Sequence, residues 1–244
     1  MRFHPYRFEF KYLMTRFAAE HLERELRRFG FTLDGYSPAP EGYWVTSLYF
    51  DSYDLKDYYD KSGGFLERKK LRARIYEPYL STSPSILLEL KEKRDAQVRK
   101  ARLTMNREEW KRFMDRGVSA LVELKRSGGD RKAQEAIAWN MISSSAKPWI
   151  VVRYLRTPYV ASGGKLRVTF DSRLEACRKA DLGYSEFMVP VLRDHVILEI
   201  KAQSHTLLPR WLNTLIRKYD LNKDAISKYA YAVEAVREYH PLPR

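Results

Sequence analysis

Three short segments of the sequence place a glutamate and a lysine two residues apart, within stretches where apolar and charged residues alternate. They are Glu9-Phe10-Lys11, Glu89-Leu90-Lys91 and Glu199-Ile200-Lys201. Side chains at positions i and i+2 of a β-strand point to the same face, so each glutamate shares a surface with its lysine. The opposite face is apolar, which is typical of a strand that packs on a core with one side. The three segments therefore predict strands whose polar faces carry ionised groups.

The other predicted strands repeat this charged face. The basic side chains that alternation places on such faces are Lys11, Arg72, Arg74, Lys91, Lys93, Lys100, Arg102, Arg156, Arg167 and Lys201. The acidic ones are Glu9, Glu89 and Glu199. A single face of this kind would be interpreted as a solvent-exposed edge strand. Six or more with the same basic bias favour strands that surround one cavity and bind a polyanion there.

Arginines and lysines with a few glutamates suit a chain of phosphate groups. Guanidinium groups bind phosphate oxygens through paired hydrogen bonds, and lysines act as mobile point charges. The glutamates either pair with the neighbouring lysines or hold a divalent cation, since Mg²⁺ is commonly held by one or two carboxylates together with substrate phosphates. Phosphoryl transfer requires alignment and charge neutralisation rather than a covalent nucleophile. The lack of a Ser/His/Asp or Cys/His set in the sequence therefore does not exclude catalysis.

The composition narrows the class of partner and the compartment. The chain has 244 residues and a net charge of +14, so an anionic partner is expected. Aromatic residues fall mostly on the apolar strand faces rather than among the basic residues, which argues against nucleic acid. The sequence contains no P-loop or GxGxxG signature, and no apolar run predicts a signal peptide or a transmembrane segment. With the lone Cys177, this predicts a cytoplasmic protein.

Local patterns predict helices around these strands. Thr15 is expected to cap a helix that Gly30 ends, and Ser127-Gly128-Gly129 is expected to separate two helices. The predicted strands are 43–51, 69–76, 86–93, 97–104, 149–156, 165–171 and 195–203. The predicted helices are 15–29, 52–61, 107–114, 131–142, 209–219 and 227–239.

Nine motifs, in order along almost the whole chain, together resemble one family. They are Glu9-Phe10-Lys11-Tyr12, SLYFDS (47–52), Arg72-Ala73-Arg74, LELKEK (88–93), VRKARL (98–103), RYLRTPY (153–159), LRVTFD (166–171), ILEIK (197–201) and Ser227-Lys228-Tyr229. This set is similar to the VTC domain, the polyphosphate polymerase domain of the vacuolar transporter chaperone complex, within the triphosphate tunnel metalloenzymes. The resemblance implies an α+β fold, with an antiparallel β-barrel tunnel and flanking helices, as a single domain over residues 1–244.

The resemblance and the strand alternation together assign roles to residues. The predicted catalytic residues are Arg72, Arg74, Lys91, Arg156 and Arg167. The predicted phosphate-binding residues are Lys11, Lys93, Lys100, Arg102, Tyr154, Lys201 and Lys228. The predicted metal ligands are Glu199, Glu9 and Glu89, with Mn²⁺ or Mg²⁺ as the cofactor. By the resemblance, Glu199 holds the metal, while strand alternation makes Glu9 and Glu89 face the tunnel as further candidates.

Three functions are compatible with these assignments, and the charged residues alone do not distinguish between them. The first is an ATP-dependent polyphosphate polymerase, which transfers the γ-phosphate of ATP to a growing chain. The second is a hydrolase of triphosphates or nucleoside triphosphates with the same fold. The third is a non-catalytic polyphosphate binder, although glutamates would weaken simple polyanion binding. The expected partners are ATP and inorganic polyphosphate, with a membrane protein left open as a further partner.

Overall fold

The structure of the chain is a computed structural model that describes residues 8–35, 37–94, 97–178, 181–183, 187–202, 208–223 and 225–239. Its strands are β1 (Phe8–Thr15), β2 (Thr32–Leu33), β3 (Tyr43–Asp51), β4 (Glu67–Ile75), β5 (Ile86–Arg94), β6 (Gln97–Met105), β7 (Lys147–Val160), β8 (Leu166–Cys177), β9 (Val189–Pro190) and β10 (His195–Ala202). Its helices are α1 (Arg16–Arg28), α2 (Lys56–Ser62), α3 (Arg107–Arg116), α4 (Val118–Glu123), α5 (Gly128–Ser144), α6 (Arg210–Lys218) and α7 (Lys228–Tyr239).

The strands form an antiparallel sheet, and the predicted α+β fold is confirmed. The hydrogen-bonded order is β1-β10-β8-β7-β3-β4-β5-β6, with β2 beside β7 and β9 beside β8. Within the described residues, hydrogen bonds do not close this order into a ring. The predicted strands are all present, although residue 203, the expected end of the last one, lies outside the described residues.

The chain divides into two compact units. Unit 1 contains the described residues of segments 1–44, 154–174 and 192–226, and unit 2 contains those of segments 45–153, 175–191 and 227–244. The assignment of residues 1–244 to a single domain stays a prediction.

Unit 1 packs helices on one face of the β1, β10 and β8 strands. Thr15 accepts a hydrogen bond from the Ala18 backbone at 3.3 Å and so caps α1 as predicted, because its hydroxyl satisfies an otherwise unpaired N–H. Leu22 and Leu26 recur at helical spacing and are fully buried, each contributing roughly 2 kcal/mol of hydrophobic stabilisation. The apolar strand residues in this core include Tyr12, Val168, Phe170, Leu198 and Ile200. The opposite strand face is therefore left for the charged residues.

Unit 2 has its own core between the β3–β6 strands and helices α3, α4 and α5. Asn106 and Glu109 form a capping box at the start of α3, which pairs two backbone donors with side-chain oxygens. The strand residues in this core include Leu48, Phe50, Leu71, Ala73, Leu88, Leu90 and Leu103. The sequence predicts a break at Gly128, but α5 begins there, since glycine accommodates the positive φ of 54° at the helix entry. Among the helices that the structure describes, none has the length and apolar character to cross a bilayer.

Candidate functional site

The charged face of unit 1 is set by the register of three strands. Glu9 lies opposite Lys201, and Lys201 lies opposite Arg167 on the next strand. One step along, Lys11 lies opposite Glu199. These side chains share a face because the residues between them are buried in the unit 1 core. We call the following set the unit 1 face: Glu9, Lys11, Tyr154, Arg156, Arg167, Thr169, Asp171, Glu199 and Lys201.

Lysines and glutamates neutralise one another on the unit 1 face. Lys11 Nζ lies 3.0 Å from Glu9 Oε1, and Lys201 Nζ lies 2.6 Å from Glu199 Oε1. Burial alone would lower the pKa of Lys11, but Glu9, Glu199 and Asp171 outweigh it and raise that pKa above its usual value. Lys11 is therefore an ammonium group throughout the neutral range, and it is available to an anion that displaces a carboxylate.

Arg156 is held from several sides. Its guanidinium donates from Nε and Nη2 to the two oxygens of the buried Asp171, at 2.7 Å each, and Nη2 lies 3.4 Å from Glu199 Oε2. It also lies 5.4 Å from the centre of the Tyr154 ring. Burial opposes the charge of Arg156, but Asp171 and Glu199 raise its pKa well above the ordinary value. Glycine at position 42 allows the backbone to approach β7 closely beside Arg156, since a Cβ at that residue would lie 2.1 Å from the Arg156 carbonyl oxygen.

Two polar atoms of the unit 1 face are buried without a hydrogen-bond partner among the described residues. They are Thr169 Oγ1, directly opposite Glu199 in the strand register, and Arg167 Nε, on the residue opposite Lys201. The other end of Arg167 is occupied, because its Nη2 lies 3.0 Å from Asp34 Oδ2. Buried polar atoms are normally paired with protein, water or ligand. The surroundings of Glu199 are therefore suited to an additional polar group.

The charged face of unit 2 is strongly basic and lies on β3, β4, β5 and β6. The strand register arranges it in rows across the sheet. One row is Ser47 and Arg74, the next is Tyr49, Arg72, Glu89 and Arg102, and the third is Lys70, Lys91 and Lys100. Beyond the third row, Arg68 lies opposite Lys93. We call these residues the unit 2 face. Its basic side chains far outnumber its carboxylates, so it attracts anions.

Glu89 joins the arginines of the unit 2 face. Arg72 Nε and Nη2 lie 3.0 and 2.9 Å from Glu89 Oε2, and Arg102 Nε and Nη2 lie 2.8 and 2.6 Å from Oε1. Arg74 Nη1 lies 3.9 Å from Oε2. Burial alone would raise the pKa of Glu89, but the three guanidinium groups lower it to about 2. Glu89 is therefore fully ionised and fixes the three arginines, which we call the arginine clamp.

Two hydroxyl groups contact the arginine clamp from β3. Ser47 Oγ accepts a hydrogen bond from Arg74 Nε at 3.2 Å, and both residues are buried. The Tyr49 phenol is also buried, which would raise its pKa, but Arg72, Arg74 and Lys70 outweigh burial and lower it to about 8. Tyr49 is thus an acidic phenol placed among cations.

Helix α7 contacts the unit 2 face at its first turn. The Tyr229 ring stacks on Tyr49, with 5.1 Å between ring centres, and its hydroxyl donates to the buried Asp51. Asp51 also accepts from the backbone N–H groups of Ser52, Asp57 and Tyr58, which fixes the start of α2. Burial and the Asp51 charge raise the pKa of Asp57 to about 7. Lys228 is the first residue of α7, so this network positions it.

The donor set of the unit 1 face fits a divalent cation better than that of the unit 2 face. Among the described residues, no group of three or more His, Cys, Asp or Glu side chains is arranged so that it could hold a metal ion. A cation that retains water and phosphate ligands needs only one or two carboxylates. Glu199, with the unpaired hydroxyl of Thr169 opposite it, provides such a position. Both glutamates have cationic neighbours, but Glu89 is bonded on each oxygen by a guanidinium group through two contacts, whereas Glu199 has single contacts to Lys201 at 2.6 Å and to Arg156 at 3.4 Å. The contacts of Glu89 therefore suit an orienting role better than those of Glu199.

The structure distributes the residues predicted from the sequence between the two units. Those on the unit 1 face are Glu9, Lys11, Tyr154, Arg156, Arg167, Glu199 and Lys201. Those of unit 2 are Arg72, Arg74, Glu89, Lys91, Lys93, Lys100, Arg102 and Lys228. A single cavity lined by all of them stays a prediction, as do their individual roles.

Sequence reasoning missed several partners of these residues. Alternation could have found Ser47, Tyr49 and Lys70, which share the charged face of their strands. Alternation also places Asp171 on the same strand face as Arg167, but nothing in the sequence indicates that Asp171 binds Arg156. Asp34 follows β2 in the chain, and nothing in its local sequence connects it with Arg167.

Solved structures with this fold identify the structural class. A candidate adenylate cyclase from Bacillus halodurans is 14% identical, with a TM-score of 0.53 over 90% of this chain and 92% of its own. A candidate adenylyl cyclase from Hippeastrum, described as having a dominant triphosphatase activity, is 15% identical, with a TM-score of 0.54 over 98% of each chain. The chain shares its overall fold with both structures, and this fold is the triphosphate tunnel type. At these identities the likeness concerns the fold alone.

The family follows from the sequence itself. The model of the VTC domain matches residues 6–237, which is nearly the entire chain. The chain therefore belongs to the VTC domain family. A comparison with curated proteins found no match.

Proposed function

We propose that this chain is a metal-dependent enzyme that transfers the γ-phosphate of ATP to inorganic polyphosphate. Membership of the VTC domain family and the triphosphate tunnel fold support an enzyme that acts on triphosphates. The polymerase activity is a more specific proposal than activity on triphosphates in general. It is supported by the extent of the basic unit 2 face, which offers more cationic rows than a single phosphate group needs.

The arginine clamp is the observation that carries this proposal. Arg72, Arg74 and Arg102 converge on Glu89, and Ser47 fixes Arg74 from the other side. Catalysis of phosphoryl transfer depends on cationic donors that are fixed before the charge develops on the transferring group. Two of these guanidinium groups, Arg72 and Arg74, lie on one strand face and can donate to the same phosphate group. We assign them to the transferring γ-phosphate, with Lys91 beside them.

Glu199, assisted by Glu9, is the proposed holder of Mn²⁺ or Mg²⁺. Thr169 Oγ1, opposite Glu199, can bond to a water that the cation retains. Such a cation, when bound, would neutralise negative charge on the phosphate oxygens. Glu89 instead orients the arginine clamp. On the unit 1 face, Lys201 pairs with Glu199 in the absence of ligand, and it would turn to a phosphate once the carboxylate binds the cation.

The remaining basic residues are proposed to bind phosphates. Lys11, Lys201 and Arg167 pair with carboxylates through single contacts, which a multiply charged phosphate can displace. Arg156 is bonded to Asp171 through two hydrogen bonds, so it would contribute its remaining N–H groups, beside Tyr154. The further proposed phosphate ligands are Lys93, Lys100, Arg102 and Lys228. ATP and inorganic polyphosphate, in the cytoplasm, are the partners in this proposal.

A triphosphate hydrolase is the second candidate. The fold shared with the Hippeastrum protein, whose dominant activity is that of a triphosphatase, favours it. In both reactions the arginine clamp would contact the γ-phosphate, and they differ in whether a phosphate oxygen or water attacks the γ-phosphorus. Incubation with ATP and Mn²⁺, followed by gel separation, distinguishes them. Long polyphosphate supports the polymerase, free phosphate alone supports the hydrolase, and unchanged ATP leaves a non-catalytic binder.

A further inference from the structure

Two consecutive apolar residues are exposed at the turn between α2 and β4. Phe65 is 60% exposed and Leu66 is 67% exposed, although side chains of these types are usually buried. The backbone of this turn is fixed, because the N–H groups of Gly63, Gly64 and Phe65 donate to carbonyl oxygens of α2 at 2.7, 3.3 and 3.1 Å. We call Phe65 and Leu66 the apolar tip.

The turn holds the apolar tip in place and leaves it accessible. A Cβ at residue 63 would lie 2.7 Å from Phe65 Cε2, so the Phe65 ring packs on the Gly63 backbone. Gly64 has a positive φ of 72°, which a glycine adopts without strain. Single exposed apolar residues are common on protein surfaces, but adjacent ones that the fold holds in position indicate a contact surface.

Basic residues surround the apolar tip at this end of the sheet. Strand β4 begins, β5 ends and β6 begins here, since Glu67 lies opposite Arg94 and Arg94 lies opposite Gln97. The acidic residues of segments 67–69, 92–94 and 97–99 are Glu67 and Glu92, and basic residues outnumber them. The basic ones are Arg68, Lys69, Lys93, Arg94 and Arg99. This end of unit 2 therefore combines an exposed apolar pair with an excess of positive charge.

We infer that the apolar tip binds unit 2 to the surface of an anionic phospholipid bilayer. Phe65 and Leu66 enter the boundary between headgroups and acyl chains, and the surrounding basic residues attract the anionic headgroups. A bilayer fits these observations better than a peptide partner, because peptides bind in grooves or along free strand edges and the apolar tip is an exposed turn. The contact lies outside the proposed function, since neither residue of the tip is assigned to phosphate transfer.

The test measures sedimentation of the protein with vesicles of phosphatidylcholine alone and with vesicles that also contain phosphatidylglycerol. The double variant Phe65→Ser/Leu66→Ser removes the apolar tip and keeps every charge. The matched control is Trp139→Ser/Ile142→Ser, because Trp139 and Ile142 are an equally exposed apolar pair, at 68% and 60%, on helix α5.

The unmodified protein should bind the vesicles that contain phosphatidylglycerol, and added salt should weaken this binding. Loss of the apolar tip should weaken binding about tenfold, as expected for partial burial of two apolar side chains. The control variant should bind as the unmodified protein does. Phe65→Trp should also bind, since tryptophan is suited to the bilayer interface.

Four results would overturn the inference. They are equal binding of the tip variant and the unmodified protein, equal loss of binding in the tip and control variants, equal binding of the unmodified protein to both kinds of vesicle, and no binding to either. The last result would leave the apolar tip to a protein partner. None of the four bears on the proposed function, because phosphate transfer is measured without lipid.

Discussion

Glu89 lies directly opposite Arg72 across the β4–β5 pair, and its carboxylate fixes that guanidinium, with 2.9 Å between Arg72 Nη2 and Glu89 Oε2. The same carboxylate binds Arg102 through its other oxygen. A glutamate in a basic, anion-attracting face therefore has a structural reason, since it binds the arginines and aligns them before a ligand arrives.

The stability of the folded protein should depend on Glu89 in acid. Its pKa is about 2 in the folded protein against an ordinary value of 4.5. Because the folded-state pKa is lowered, the ionised carboxylate stabilises the fold above pH 4.5, and this contribution is lost as the pH falls towards 2. The shift corresponds to roughly 3 kcal/mol. Denaturant unfolding at a series of pH values measures it.

Glu89→Gln should remove this acid-dependent part of the unfolding free energy and lower the stability at neutral pH. The control is Glu92→Gln, because Glu92 lies on the opposite face of β5 and pairs with Lys69. Identical pH dependence of unfolding in the unmodified protein and in Glu89→Gln would contradict the assigned role of this carboxylate.

Tyr49 should ionise near pH 8, about two units below an ordinary tyrosine. The cause is the charge of Arg72, Arg74 and Lys70, which a bound phosphate chain would neutralise. Tyrosinate absorbance should therefore show one early titration in the unmodified protein, and tripolyphosphate should move it to higher pH. Tyr49→Phe should abolish the early titration, whereas Tyr53→Phe, at a highly exposed position, should leave it intact. An early titration that survives in Tyr49→Phe would place it elsewhere.

The faces of the strands could be predicted from the sequence, and the pairing between strands could not. Alternation placed Glu89, Lys91 and Arg72 on charged faces because their neighbours Leu88, Leu90 and Ala73 are apolar. Register depends on turn geometry and on the fit of two cores, which a single sequence does not display. The contact between Glu89 and the arginine clamp, and the alignment of Lys70 with Lys91, therefore required the structure.

Contacts that residues of loops and helices make with the charged strand faces could not be predicted from the sequence either. Arg167 binds Asp34, more than a hundred residues away in the sequence, and Lys70 binds Ser227 at the start of α7. The division into two units was also not visible, since each unit is assembled from three separate segments. Helix positions were predicted well where a cap was present, as at Thr15.

Arg74→Lys tests whether the arginine clamp is catalytic. The lysine keeps the charge and loses the planar fork that also donates to Ser47. We expect kcat to fall about a hundredfold, as for one preorganised donor, with little change in affinity for a non-hydrolysable ATP analogue. Arg99→Lys is the control, because Arg99 lies on the opposite face of β6 and is exposed. A small change in kcat with a large loss of affinity would assign Arg74 to ground-state binding only.

Glu199→Gln tests the metal assignment. The amide keeps the shape of the side chain but is a poor ligand for a hard cation, so Mn²⁺ binding measured by electron paramagnetic resonance should weaken at least about tenfold. The fold should survive, because Arg156 keeps both hydrogen bonds to Asp171. Unchanged Mn²⁺ binding in Glu199→Gln, with a loss in Glu9→Gln or Glu89→Gln, would move the metal to that glutamate.

Transfer of labelled phosphate tests the polymerase proposal most directly. The protein is incubated with Mn²⁺, a polyphosphate primer and ATP labelled at the γ-phosphate, and a parallel sample carries the label at the α-phosphate. We predict that γ-label enters the polyphosphate chain in amounts equal to the ADP formed, while α-label stays in the nucleotide. Recovery of the γ-label solely as free phosphate, or its retention in ATP, would contradict the proposal.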